Sequence, residues 1–261
     1  MSTPVVAIVT GANRGIGEAI AQTLATEFKT PFVLYATSRK GTDLGFKTAK
    51  ETQVRYPKLD IADPTSIRNL AKSIEQDYKK VDVLINNAGV NLDDDYNPQN
   101  VKTTLDTNVR GTLRNGRIVN VSSTGSSLGQ YSKDIQQRFR SSKMTLNDLE
   151  NLMQEYQEAV NNGMEGKNGF PQQSYSVSKA CINALTAVLA RENAGLIVNA
   201  CCPGWVSTDM GKMVGSQPPK PPADGAKIPI RLGFGDIDGV TGRYWGNPSI
   251  SDTGDGKVME W

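Results

Sequence analysis

Short runs of aliphatic and β-branched residues punctuate this chain at intervals, separated by longer stretches in which apolar positions recur every three to four residues. Val5 to Thr10 (VVAIVT), Phe32 to Thr37 (FVLYAT), Val81 to Ile85 (VDVLI), Ile118 to Val121 (IVNV) and Leu196 to Ala200 (LIVNA) are of the first kind. Apolar residues on both faces suit strands of a parallel sheet, which helices cover on both sides. After the first run, IGEAIAQTLATEF has the period of an amphipathic helix. Asp63-Pro64 predicts an N-cap followed by proline at the first helical position, opening a helix that runs to about Tyr78. Strands alternating with helices predict βαβ units, hence an α/β fold with a doubly wound parallel sheet.

One region breaks the alternation. From about 127 to 173 the chain is polar and helix-rich and contains no strand pattern. Thr145, with Asp148 three residues on, resembles a capping box. Leu146, Leu149, Met153, Tyr156 and Val160 then share one helical face, and Gly163 is a suitable stop. This predicts a helical insert packed on the main core of one domain spanning 1–261. The only biased patch, Pro218 to Pro222 (PPKPP), predicts a loop, because prolines remove backbone donors.

Composition narrows the chemistry. The 261 residues are 38% hydrophobic and 21% charged, with a formal charge of +2. Such a chain can bury a core without disulfides, and its charge gives no reason to expect nucleic acid or an anionic membrane as partner. The N-terminus lacks a signal-peptide pattern, and no apolar run is long enough to span a bilayer. Cysteines number three, two of them adjacent, so a reducing cytoplasm is the simplest expectation. With no histidine, a Ser-His-Asp triad and His-containing metal sites are excluded, and no metal is expected. Acid–base work must fall to Tyr, Lys, Cys or carboxylates.

Thr10-Gly-Ala-Asn-Arg-Gly-Ile-Gly17 follows the first strand. Gly11, Gly15 and Gly17 let the chain turn tightly and bring backbone N–H groups to a pyrophosphate at the helix N-terminus, the arrangement of a Rossmann-type fold. About twenty residues later such folds choose their cofactor, an acid for NAD or an arginine for NADP. Here the second strand ends in Thr37-Ser38-Arg39-Lys40, and Arg14 in the glycine turn can approach the same place. NADPH/NADP+ is therefore the expected cofactor, the alternative being that Arg39 and Lys40 are solvated strand-end charges.

Tyr175 and Lys179 lie four apart on a predicted helix and so share a face. An ammonium near the phenol, with a cationic nicotinamide, would have to supply roughly 3–4 kcal/mol to lower the tyrosine pKa by about two to three units.

TGANRGIG, Asn86-Asn-Ala-Gly89, Ser122-Ser123 after a strand, and Tyr175-Ser-Val-Ser-Lys179 occur in the order found in short-chain dehydrogenases/reductases. Asn199 to Met210 (NACCPGWVSTDM) and the insert before Tyr175 resemble the monomeric carbonyl reductase branch of that family. The resemblance, which runs from about Val5 to the C-terminus, implies reduction of a small-molecule carbonyl (ketone, aldehyde or quinone) by NADPH. It gives Tyr175 as proton donor, Ser123 as partner of the substrate oxygen, Lys179 on the nicotinamide ribose, and Asn108 holding a relay water. Along the cofactor it places Gly11, Asn13, Arg14, Gly15, Ile16, Gly17, Arg39, Asp60, Ile61, Asn86, Asn87, Ala88, Gly89, Pro203, Gly204, Val206 and Thr208. Trp205 is either a wall of the substrate pocket or core. Cys201 and Cys202 are expected to be buried.

Ser123 and Tyr175 are 52 positions apart, and the insert between them covers, in that branch, the helix surface other members use to form oligomers. A monomer is implied, with the insert's apolar face as a partner surface the other reading. The segment from about 203 to 224 is expected to be a substrate loop, 211–222 closing over the site. Three connections are short for the family: Asn108 to Arg117, Arg39 to Asp60 and Lys179 to Cys201. They put Asn108 most in question and leave open a catalytically impaired cofactor-binding relative, beside an alcohol dehydrogenase running toward oxidation.

Overall fold

The computed structural model describes residues 3–108, 116–213 and 215–261. Its strands are β1 (Val5–Val9), β2 (Phe32–Ala36), β3 (Thr52–Arg55), β4 (Val83–Asn86), β5 (Arg117–Val121), β6 (Ile197–Cys201), β7 (Tyr244–Gly246) and β8 (Lys257–Met259). They form one sheet in the order β3-β2-β1-β4-β5-β6-β7-β8, parallel throughout except for the antiparallel β8. The five predicted strands are its centre. β3 (TQVR), the short β7 and the edge strand β8 were not predicted, since a polar or three-residue strand leaves no apolar run to read.

The helices are α1 (Gly15–Glu27), α2 (Pro64–Asp77), α3 (Pro98–Asn108), α4 (Lys133–Phe139), α5 (Leu146–Asn161), α6 (Ser174–Glu192), α7 (Asp209–Lys212) and α8 (Pro222–Phe234). Alternate residues of each strand serve opposite faces. Ala7 and Val9 of β1 join Leu34, Ile85 and Val121 in a core with α1 and α8, whereas Val6 and Ile8 pack with Leu70 and Ile74 of α2. Full burial of one such side chain contributes roughly 1.5–3 kcal/mol. Asp63 caps α2 as predicted, its carboxylate accepting the Thr65 N–H at 2.8 Å.

Thr145 and Asp148 form the predicted capping box of α5, and Gly163 stops the segment with φ of +62°. Leu149, Met153, Tyr156 and Val160 are buried against α6 and Leu105, but Leu146 is 39% exposed because it sits in the first turn, at the rim. The segment expected to be one loop over 203–224 instead contains α7, and α8 begins within it at Pro222. Proline is tolerated at that first helical position, where its missing N–H would be unpaired in any case.

No helix joins β2 to β3. The irregular segment between them is tied to α1 by the Ala49 N–H on the Ala25 carbonyl (2.8 Å), and Phe46 packs beside Tyr56 at 5.8 Å between ring centres. Phe46 thus takes part of a cover helix's place on the α1 core.

Candidate functional site

In a doubly wound sheet ligands bind beyond the carboxyl ends of the strands, where the strand order reverses. Here that point lies between β1 and β4. Arg14, the N-cap of α1, is extended and gives no side-chain cap, so the first-turn N–H groups meet no side chain from it. Gly15 has φ of +60°, a conformation side chains disfavour. Gly17 is dictated by packing, since a Cβ there would lie 2.3 Å from the Gly11 carbonyl and 2.4 Å from Asn87 Nδ2. An uncapped helix start with close backbone approach fits a pyrophosphate.

The end of β4 is locked to this turn. Asn87 Nδ2 donates to the carbonyls of Thr10 (2.9 Å) and Gly11 (3.3 Å). The N–H groups of Asn87 and Ala88 both donate to Thr10 Oγ1, at 3.0 and 2.9 Å. Asn86 turns instead toward β5, donating to Asn120 Oδ1 at 2.9 Å. Gly89 follows, half-buried.

The segment after β6 closes the other side. A Cβ on Gly15 would touch Thr208 at 3.0 Å, and one on Gly225 of α8 would meet both Val206 (2.7 Å) and Ile16 (3.3 Å). Gly15, Ile16, Val206 and Thr208 therefore converge as the sequence implies. Thr208 Oγ1 also accepts the Gly211 N–H at 3.1 Å, capping α7. Trp205 is half-buried and donates from its indole to the Gly211 carbonyl at 2.8 Å, so it braces this segment.

A second brace was missed by sequence reasoning. Lys220, in the PPKPP patch, is 1% exposed and donates from Nζ to the Pro203 carbonyl at 2.8 Å, while its own carbonyl accepts the Ser207 N–H at 2.7 Å. Burial pushes its pKa down. A lysine among prolines carries no pattern that announces burial. Pro203 is buried and Gly204 half-buried beside it.

Asn13, Arg14 and Arg39 are exposed. Arg14 pairs with Asp209 at 2.9 Å, both side chains about two-thirds or more solvated, a surface ion pair worth about 0–1 kcal/mol. Asp60 follows β3, where the Leu59 N–H reaches the Ser38 carbonyl at 2.9 Å. Its carboxylate accepts the Ala62 N–H at 3.0 Å, and Ile61 packs on the α2 core.

Tyr175 and Lys179 share one face in the first two turns of α6, as predicted. Lys179 is 5% exposed, donates to the Val121 carbonyl at 2.9 Å, and places its ammonium 5.3 Å from the Tyr175 ring centre. Ser123, just past β5, lies beside Tyr175, since a Cβ on Gly125 would meet both Ser123 Oγ (3.5 Å) and the Tyr175 ring (3.8 Å), and its Oγ accepts the Gly125 N–H at 3.1 Å. Ser122 is turned away, donating to the Lys179 carbonyl at 3.3 Å. The geometry thus separates the two serines.

In the protein alone, burial pushes the Tyr175 pKa up to about 12, against a downward pull from Ser123, with Cys202 and Asp93 adding to the rise. Burial also lowers Lys179 to about 8, its charge favoured by the neighbouring Cys202 and Cys201. Cys181, Cys201 and Cys202 are all buried, and none of them forms a disulfide. Asn108 is the last residue of α3. Its side chain, and residues 109–115 of the shortened connection after it, lie outside the described part of the structure.

The sequence model of a family described as short chain dehydrogenase matches residues 5–162, and that of a second, described as enoyl-(acyl carrier protein) reductase, matches 121–241. Carbonyl reductase (NADPH) 1 of Sus scrofa is 36% identical over 285 aligned positions, covering 98% of this chain and 94% of the relative. Carbonyl reductase (NADPH) 3 of Rattus norvegicus is 37% identical over 251 positions, covering 87% and 90%. Since 285 positions exceed 261 residues, that first alignment leaves gaps in this chain, in keeping with its short connections. Among solved structures, salutaridine reductase from Papaver somniferum superimposes with a TM-score of 0.76 at 24% identity, over 92% of this chain and 99% of that one. NADPH-bound carbonyl reductase from chicken fatty liver gives 0.63 at 22% identity, over the whole of both chains. These two likenesses concern the fold.

Proposed function

The chain belongs to the short-chain dehydrogenase/reductase family and is an NADPH-dependent carbonyl reductase, and we propose that it works through Ser123, Tyr175 and Lys179 on small ketones, aldehydes or quinones. The observation that carries this reading is that Ser123 Oγ and the Tyr175 ring border the same point beside Gly125, with the Lys179 ammonium 5.3 Å from the ring centre.

Bound NADPH supplies the hydride. The glycine turn and the start of α1 would hold its pyrophosphate, Asn87 fixes that turn to β4, and Val206 and Thr208 would lie toward its nicotinamide end. Arg39, exposed at the end of β2, supplies a cation for the extra phosphate. A carbonyl oxygen accepts hydrogen bonds from Ser123 Oγ and Tyr175 Oη, and the tyrosine proton moves to that oxygen as charge develops there. The phenol, protonated at neutral pH, is the acid that reduction needs. Lys179 orients the ribose and restores positive charge beside the phenolate left behind. In the family pattern the Asn108 amide holds the water through which the proton is replaced.

The insert packs its apolar face onto α6, which supports a monomer. Among the described residues no helix is long and apolar enough to cross a membrane. Three cysteines without a disulfide among them support a reducing cytoplasm.

The test is loss of NADPH absorbance with a quinone and a ketone, comparing the native chain with Tyr175→Phe. Turnover that falls by about 10²–10⁴-fold in the variant, and is weaker with NADH, is the expected outcome. Folded native protein without turnover would sink the active-reductase reading for these substrates and favour a catalytically impaired relative.

A further inference from the structure

Helix α6 carries Tyr175 in its first turn, yet its own N-cap residue does not cap it. The Gln173 side chain caps none of the backbone N–H groups there; its Oε1 accepts the Ser176 hydroxyl at 2.9 Å instead. The acceptor comes from 82 residues earlier. Asp93 opens a short 3-10 turn, Asp93–Asp95, beyond the end of β4. Its carboxylate accepts the Ser174 hydroxyl at 2.5 Å and the Tyr175 N–H at 3.0 Å through Oδ2 and 3.3 Å through Oδ1. Asn91 Oδ1 accepts the N–H of Asp93 at 3.1 Å, which fixes the turn from below. Asp94 and Asp95 are exposed, whereas Asp93 is half-buried. A carboxylate at a helix N-terminus satisfies orphan donors and meets the positive end of the dipole.

We propose that Asp93 is a positioning residue for the proton donor, holding the first turn of α6, and hence the Tyr175 phenol, against Ser123 from the loop that follows β4. The proposal rests on the carbonyl-reductase reading of the site. Because β4 is also locked to the glycine turn through Asn87 and Ala88, the same segment ties the backbone that frames the cofactor to the backbone that carries the acid. The groups that face Tyr175 are Ser123, Lys179 beside the ring, Cys202 and Asp93. Of these the negative charge of Asp93 works with burial to keep the phenol protonated.

Two variants separate the hydrogen bonds of Asp93 from its charge. Asp93→Ala removes both, whereas Asp93→Asn removes the charge and keeps an acceptor oxygen. In Asp93→Ala, kcat at neutral pH should fall by at least about tenfold, with the KM for NADPH changed less than about twofold, as expected when a reacting group is misplaced. Asp93→Asn should recover most of that loss. Hydrogen–deuterium exchange of the segment 174–180 in the free protein should accelerate in Asp93→Ala and not in Asp93→Asn. Native kcat in Asp93→Ala would overturn the proposal. So would a general loss of stability with unchanged exchange at 174–180. A parent chain without turnover would instead remove the reductase reading, and with it the catalytic role of Asp93, while the exchange data would still decide whether the cap exists.

Discussion

The two flanks of the sheet are covered in opposite ways. Beside β5 and β6, α6 is buried along most of its 19 residues, and the insert adds Leu152, Met153 and Tyr156 on top of it. Beside β2 and β3 there is no connecting helix, and an irregular segment anchored by Ala49 and filled by Phe46 covers the strands. The first flank carries the groups we propose to react, whose distances tolerate little error. On the same proposal, the second needs only to present Arg39 and the Asp60 turn to the far end of a long cofactor. Cover is heaviest where a proton must be transferred and lightest where a charge must merely be reachable.

That contrast can be broken most forcefully on the heavy side. Leu152→Ala should cost about 2–5 kcal/mol of stability, measured by denaturant unfolding, because Leu152 is 1% exposed and close-packed. A loss below about 1 kcal/mol would mean that the insert is a loose flap. Next in size is a pH effect on the same helix. Lys179 has a pKa of about 8 when folded and near 10.5 when free, so the unfolded chain binds the extra proton between those values. Stability should therefore rise from pH 8 to about 10.5 relative to Lys179→Met, by on the order of 3 kcal/mol, and should show no such difference below pH 8. A flat difference curve would show that the lysine is better solvated than its surroundings imply.

On the light side the effects should be smaller. Arg39→Ala should raise the KM for NADPH about tenfold and leave that for NADH unchanged, consistent with about 1.5 kcal/mol for one charge-assisted contact. Phe46→Ala, in the half-buried cover segment, should cost only about 1–2 kcal/mol, with kcat unchanged. If Phe46→Ala proved as damaging as Leu152→Ala, the two flanks would be equivalent in cover and the distinction would fall.

The same contrast governs what could be read from the chain. The central strands were legible because both faces of VVAIVT or LIVNA are buried and leave continuous apolar runs. β3 was not, since at the sheet edge half of TQVR faces water. α8 was obscured by Pro229 within it, a residue that ordinarily ends a helix and here costs one backbone hydrogen bond. In the site, Gly15, Gly17, Tyr175 and Lys179 announced themselves by spacing along single elements. Asp93 did not, because it sits in an acidic run that reads as solvated surface and acts across 82 residues. The raised Tyr175 pKa was equally out of reach, because it depends on burial, which spacing does not encode.

The sealed amine of Lys220 has a consequence for chemical labelling. An acylating reagent attacks a free, uncharged amine, and this one is shut in and already bound to the Pro203 carbonyl. Surface lysines should react promptly, and Lys220 only as often as the stretch between Pro203 and Pro222 swings open. Its modification rate, followed by mass spectrometry with and without NADPH, would make a native side chain the clock for motion over the site.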